Sequence, residues 1–140
     1  MLLLATAPDT QWDDVTTSYR KPNQRDRIIE ALWPLGEHLP RVDEETLSRY
    51  YRYLTVRLSF PFAATYPEAK TALEEVQHRC NVVELLDPTK DICDEFDGIL
   101  CKTRKGRYEI QLPLTELEIS QDSPNFQFIE DYWYWFWNWR

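Results

Sequence analysis

A chain of 140 residues that is 43% hydrophobic and 14% aromatic is long enough for one packed domain and too apolar to stay disordered. Its 24 acidic residues against 16 basic ones give a net charge of −8. That balance speaks against nucleic acid, whose phosphates need lysine and arginine, and against anionic membrane surfaces; it favours a soluble protein or a cation as ligand.

Residues 1–22 read as an irregular lead-in, and residues 23–140 as a single domain, with helices over 23–79 and a sheet over 81–140. Met1-Leu2-Leu3-Leu4-Ala5 has no basic flank and too short an apolar run for a secretory leader. Asn23 suits the cap of a first helix, with Asp26 in its first turn and Ile28, Ile29, Leu32 and Leu35 as its apolar stripe. Pro34-Leu35-Gly36 ends it. Asp43-Glu44-Glu45 places acids at the positive end of a second helix, whose stripe is Leu47, Tyr50, Tyr51, Leu54 and Leu58. Phe60-Pro61-Phe62 stops that helix. Thr65 and Glu68 around Pro67 form a capping-box pattern, so a third, short helix is expected over 65–79.

From residue 81 the pattern changes. Val82–Leu86 reads as a strand closed by Asp87-Pro88. Asp97-Gly98 turns into a strand at Ile99–Thr103, which connects through Arg104-Lys105-Gly106-Arg107 to a returning strand at Tyr108–Leu112. Leu117-Glu118-Ile119 reads as another short strand. Seven of the eight residues from Tyr132 to Trp139 are aromatic, and four of the six tryptophans sit there. As a strand, the period of two would put all four on one face, so an aromatic C-terminal strand is expected to staple the core. A partner-binding patch is the other use for such a segment. The fold class is thus α+β: N-terminal helices followed by a small antiparallel, barrel-like sheet.

Acid is concentrated in the second half. Residues 81–140 hold 12 acidic side chains against 6 basic ones, whereas residues 1–80 hold 12 against 10. Glu84, Asp87, Asp91, Asp94, Glu95 and Asp97 are opposed only by Lys90. Folding such a loop brings like charges together unless a cation neutralises them. Calcium takes six to eight oxygens from carboxylates and carbonyls in a flexible shell, which this composition supplies. It is not an EF-hand: with Gly98 as the central glycine, Cys93 would stand first and Arg104 twelfth. A solvated acidic loop remains the alternative.

Other chemistry finds little support. His38 and His78 are the only histidines, and no Cys-x-x-Cys occurs, so a transition-metal site is not expected. Cys80, Cys93 and Cys101 are odd in number and irregularly spaced; they read as small buried hydrophobes in a reducing cytoplasm. His78 near Cys80 lacks an identifiable third member for nucleophilic catalysis. No pair of carboxylates in contrasting environments points to a hydrolase. The basic run Lys102–Arg107 could touch phosphate, but the chain has three glycines and no phosphate-cradling loop; a solvated turn that offsets nearby acid is the simpler reading.

Several segments together resemble the calcium-binding CcbP family of cyanobacteria and other bacteria. They are Tyr50-Tyr51-Arg52-Tyr53-Leu54, Leu58-Ser59-Phe60-Pro61-Phe62-Ala63-Ala64, Glu95-Phe96-Asp97-Gly98-Ile99-Leu100-Cys101, Leu112-Pro113-Leu114 with Leu117-Glu118, and Ser123-Pro124-Asn125 through Ile129-Glu130-Asp131-Tyr132 to the aromatic end. The resemblance covers roughly residues 47–140 apart from about 67–80. It departs from the family at Ala63, where an acid is usual, and in the longer segment 67–80. It implies a small acidic protein that is not an enzyme, binding Ca2+ through surface carboxylates and sequestering it inside the cell. In cyanobacteria the family is tied to control of free calcium during heterocyst differentiation. Asp94, Glu95, Asp97 and Asp131 fall in the matching segments; Asp87, Asp91 and Glu130 are added from charge density. The expected function is a cytoplasmic calcium buffer with calcium as its partner, no nucleic acid, no membrane and no identified protein partner. Glu130 and Asp131 would form a second site if the last strand lay beside the loop. The alternative is an acidic interaction module docking a basic partner through that strand.

Overall fold

The computed structural model describes residues 23–33, 38–90 and 96–140. The lead-in over 1–22 lies outside the described residues, as do Asp91, Asp94, Glu95 and Cys93. Two helices come first, α1 (Gln24–Ala31) and α2 (Glu44–Arg57). Asn23 caps α1 through its Oδ1, which accepts from the Asp26 backbone N–H at 2.8 Å. Asp43 and Thr46 cap α2 reciprocally: each side chain accepts from the other's backbone N–H at 2.8 Å. These bonds satisfy donors that the first helical turn leaves without partners.

Four strands follow: β1 (Phe62–Ala69), β2 (Glu75–Leu85), β3 (Leu100–Lys105) and β4 (Tyr108–Pro113). They form one antiparallel sheet in sequential order. A third helix, α3 (Phe126–Asn138), ends the chain. The architecture is α+β, with helices packed on one face of the sheet. Their core joins Ile28, Leu47, Tyr50 and Leu54 of the first two helices to Val82, Cys101, Tyr132, Trp135 and Phe136.

Three expectations are corrected. Residues 65–79 form no helix; they belong to the β1–β2 hairpin, in which Phe62 pairs with Val82 and Ala69 with Glu75. The buried residues Phe62, Ala64 and Tyr66 alternate with more exposed ones, which is the period of a strand with one face on the core. Pro67 is tolerated because β1 lies at the sheet edge.

The sheet is also not closed into a barrel. After β4 the chain makes one 3-10 turn at Leu114–Glu116, and the expected strand at Leu117–Ile119 shrinks to a single bridge between Glu118 and Thr65.

Finally, the aromatic C-terminus is a helix, not a strand. Ile129, Tyr132 and Phe136, with Asp131 and Trp135, make its buried face. Trp133 and Trp137 are 47% and 48% exposed on the other side. The four tryptophans therefore do not share a face. The stapling role does hold for the inner ring set. Trp135 and Tyr132 each lie with ring centroids 5.2 Å from Tyr50, and the Trp135 indole N–H donates to the Pro40 carbonyl at 2.9 Å.

Candidate metal site

The acidic loop leaves the sheet at the end of β2 and returns at β3. The Leu86 N–H donates to the Leu100 carbonyl at 2.8 Å, so the two stems are held together. On the outgoing side, Asp87-Pro88-Thr89-Lys90 is a tight turn, with the Lys90 N–H bonded to the Asp87 carbonyl at 3.0 Å. Asp before Pro is the preferred opening of such a turn. The Asp87 Oδ1 accepts from both the Thr89 N–H (2.9 Å) and the Thr89 hydroxyl (2.7 Å). Those two bonds, the backbone one first, hold its carboxyl below the usual carboxylate range. Both fall on Oδ1, which leaves the Oδ2 side of a fixed, charged carboxylate for a cation.

On the return side, Asp97 is exposed and Gly98 is buried at φ +67°. Helix α3 holds this stem. The Tyr132 hydroxyl accepts from the Ile99 N–H at 2.8 Å, and the Ile99 carbonyl accepts from the Leu114 N–H at 2.9 Å. A Cβ on Gly98 would stand 2.4 Å from the Tyr132 oxygen and 2.6 Å from Phe136 Cε1. The aromatic helix thus presses directly on the end of the acidic loop. Phe96, 79% exposed, stands beside Arg140, whose guanidinium also lies 4.6 Å from the Phe136 ring centroid.

The remaining acids are placed elsewhere. Glu84 lies on the sheet and pairs with Lys102 at 3.3 Å. Asp131 is 2% exposed. Its Oδ2 accepts from Arg27 Nε at 2.5 Å, and its Oδ1 accepts from Arg27 Nη2 (3.1 Å), Gln24 (3.1 Å) and Gln127 (2.8 Å). This carboxylate is committed to joining α1 to α3, and the pairing raises the Arg27 pKa. Glu130, one residue earlier and so on another side of the helix, lines a surface groove with Glu116 and Glu118. The paired Glu130–Asp131 site depended on a strand; the helix separates the two. Sequence reasoning passed over Arg27 and Gln24, because nothing in their local pattern marks a partner more than 100 residues away.

Among the described residues, no three His, Cys, Asp or Glu side chains converge as a metal cluster. The donors that the described part of the loop does offer, Asp87 and Asp97, are oxygen donors of the kind a hard divalent cation takes, and the loop sequence adds Asp91, Asp94 and Glu95. The carboxylate donors therefore fit a hard cation such as calcium. The two described thiols stand away from the loop acids in the core. Cys80 and Cys101 are buried, and burial pushes both thiols up from their ordinary range.

Comparison with known proteins fits the same picture. The profile of the CcbP family, described as "Calcium binding", matches residues 41–136, more than half of the chain. The chain belongs to the CcbP family. Two solved structures share its fold. The crystal structure of Anabaena CcbP superposes with a TM-score of 0.57 at 19% identity, covering 86% of this chain and 94% of that one. A structure described as a calcium binding protein in the calcium-binding form gives 0.58 at 19% identity, covering 83% and 90%. No curated protein sequence matches significantly. This CcbP-family chain thus joins a calcium-binding family by sequence and shares its fold at low identity. Among the described residues, no helix is long and apolar enough to cross a membrane.

Proposed function

We propose that the chain is a non-EF-hand calcium buffer of the cytoplasm, binding Ca2+ in the loop between β2 and β3. The observation that carries this reading is the anchoring of the loop. One stem holds a fixed, charged Asp87, and the other is locked by Tyr132 and the close packing of Gly98. Asp87 and Asp97 would supply carboxylate oxygens, and Asp91, Asp94 and Glu95 would complete the shell. Stems that hold like charges near one another leave their repulsion unrelieved until a cation arrives, and an all-oxygen set of carboxylates suits the large, flexible shell of calcium. No residue of this set is asked to move a proton or form a bond, so the protein acts by binding alone.

Thermal denaturation tests the reading. Calcium at about one hundred times its Kd adds about 2.7 kcal/mol to folding, which for a chain of this size raises Tm by roughly 6–12 °C. The joint variant D94N, E95Q and D97N should show no such rise. An unchanged Tm of the parent protein in millimolar calcium would count against the site and the function together. A rise that survives the triple substitution would move the site away from this loop.

The exposed rings Trp133, Trp137 and Phe96 support a second reading, an acidic interaction module that docks a basic partner through α3. Acrylamide should quench Trp133 and Trp137 in the free protein; protection of both would mean that another surface already covers them.

A further inference from the structure

A separate groove lies on the outer face of the sheet, away from the helices. Its volume is about 540 Å³, and its floor is the β1–β2–β3 ladder. The floor is low because small side chains form it. Ala63 stands beside Asn81, Thr65 beside Arg79, and Asn81 in turn beside Arg104. Arg79 and Arg104 are both exposed, and both line the groove.

The register puts the two arginines on the diagonal between neighbouring strands, where side chains stand about 7–8 Å apart. At that spacing two exposed guanidinium groups can both reach one anionic ligand seated between them. Carboxylates are near: Glu109 faces Arg104 across the β3–β4 ladder, and Glu118 lines the groove. The ion pairs nevertheless form elsewhere, with Lys102 reaching Glu84 at 3.3 Å and Glu109 at 4.0 Å. Among the described residues, neither Arg79 nor Arg104 makes an ion pair with a carboxylate. Lys105 directs its ammonium away from the groove, to His78 Nδ1 at 2.5 Å on the other face of the sheet, so the two arginines carry the groove's positive charge.

We infer that this groove binds a phosphate-bearing small molecule with two neighbouring anionic groups. Each guanidinium fork donates to two oxygens of one phosphate side by side, and two forks on the diagonal match two linked phosphates better than one. The volume suits a small molecule. Asn81 and Thr65 supply neutral hydrogen-bonding groups at the floor. The groove opens near the end of β3 that carries Arg104, about 13 Å along the strand from Leu100, where the acidic loop returns. It is therefore independent of the calcium reading.

The test is a calorimetric titration of the full, calcium-stripped chain with pyrophosphate. One saturable site is expected, with inorganic phosphate about tenfold weaker because it engages a single fork. R79Q and R104Q should each weaken pyrophosphate by about tenfold or more. R107Q, which removes the same charge from the hairpin outside the groove, should change it less than about twofold. All three positions are exposed, so unchanged Tm values confirm that the variants fold. Absence of saturation by about 10 mM overturns the inference. Equal losses in R107Q and R104Q overturn it too, since they would report bulk charge rather than a site. Calcium binding by R104Q should match the parent in either case.

Discussion

Asp87 and Asp131 show how little a residue type decides by itself. Both are aspartates in acidic stretches, yet Asp87 keeps one oxygen side open while Asp131 spends both oxygens on α1 and its own helix. Asp131→Ala would remove the buried carboxylate that Arg27, Gln24 and Gln127 share, so a loss of roughly 2–4 kcal/mol is expected in urea denaturation, with calcium stoichiometry unchanged. Loss of calcium binding at unchanged stability would instead restore Asp131 as a ligand.

Asp87 has a direction with pH. Its folded carboxyl titrates below the ordinary value, so its contribution is present above the unfolded pKa and is lost as pH falls through the lowered folded one. The Asp87 share of calcium affinity should therefore persist through mildly acidic pH and be lost only as pH falls through its lowered folded value; Asp87→Asn should remove that part of the acid limb in a titration of affinity against pH.

The two positive-φ glycines make a further contrast. Gly106, at φ 61°, has nothing within 4 Å of a would-be Cβ, so Gly106→Ala should cost only the left-handed strain of about 1 kcal/mol. Gly98→Ala meets Tyr132 and Phe136 as well and should cost roughly 3 kcal/mol or more, with weakened calcium affinity, because the loop stem must move. Equal effects of the two substitutions on both readouts would mean that α3 does not hold the loop.

At the scale of elements, the starts of α1 and α2 were legible because Asn23, read as a cap, and Asp43, read as an acid at the helix start, act locally by bonds reaching three residues. Strands β3 and β4 and their glycine turn were legible for the same reason. The hairpin over Phe62–Leu85 was legible only at its end, where Val82–Leu86 read as a strand. Alanines at 63, 64 and 69 carry good helix propensity and little contrast between faces, and pairing with β2 overrode that propensity.

The C-terminal helix was hidden by excess of the same signal. Where nearly every residue is aromatic, periods of 2 and 3.6 leave the same trace, and aromatic residues favour strands intrinsically. Pro124, just ahead of Asn125, was the available sign of a helix start.

Substitution separates the two geometries. Trp135→Ala should cost about 3–5 kcal/mol, while Trp133→Ala and Trp137→Ala should each stay within about 1 kcal/mol. A strand with all four indoles on one face would make the three losses alike.

In the whole molecule, the helices, sheet and acidic loop meet at one place. Tyr50 of α2 packs on Tyr132 and Trp135 of α3, Tyr132 fixes Ile99, and Ile99 leads into β3. The acids of the loop were legible from charge density. What anchors the loop's return stem was not, because the Tyr132–Ile99 bond spans 33 residues and depends on the helix that the sequence disguised. Asn125 ties the same helix to the end of α2, its side chain accepting from the Ser59 N–H (2.8 Å) and donating to the Ser59 carbonyl (3.0 Å). The aromatic helix thus holds the return stem of the loop at Ile99 and spends its own Asp131 on α1.

A calorimetric titration of chelator-stripped protein with calcium, against a magnesium background, tests this directly. Saturable calcium binding is expected in the parent protein and in Asp131→Asn, and is expected to vanish in the D94N, E95Q and D97N variant. No heat in the parent protein, or full binding in that triple variant, would contradict a calcium site in the loop between β2 and β3.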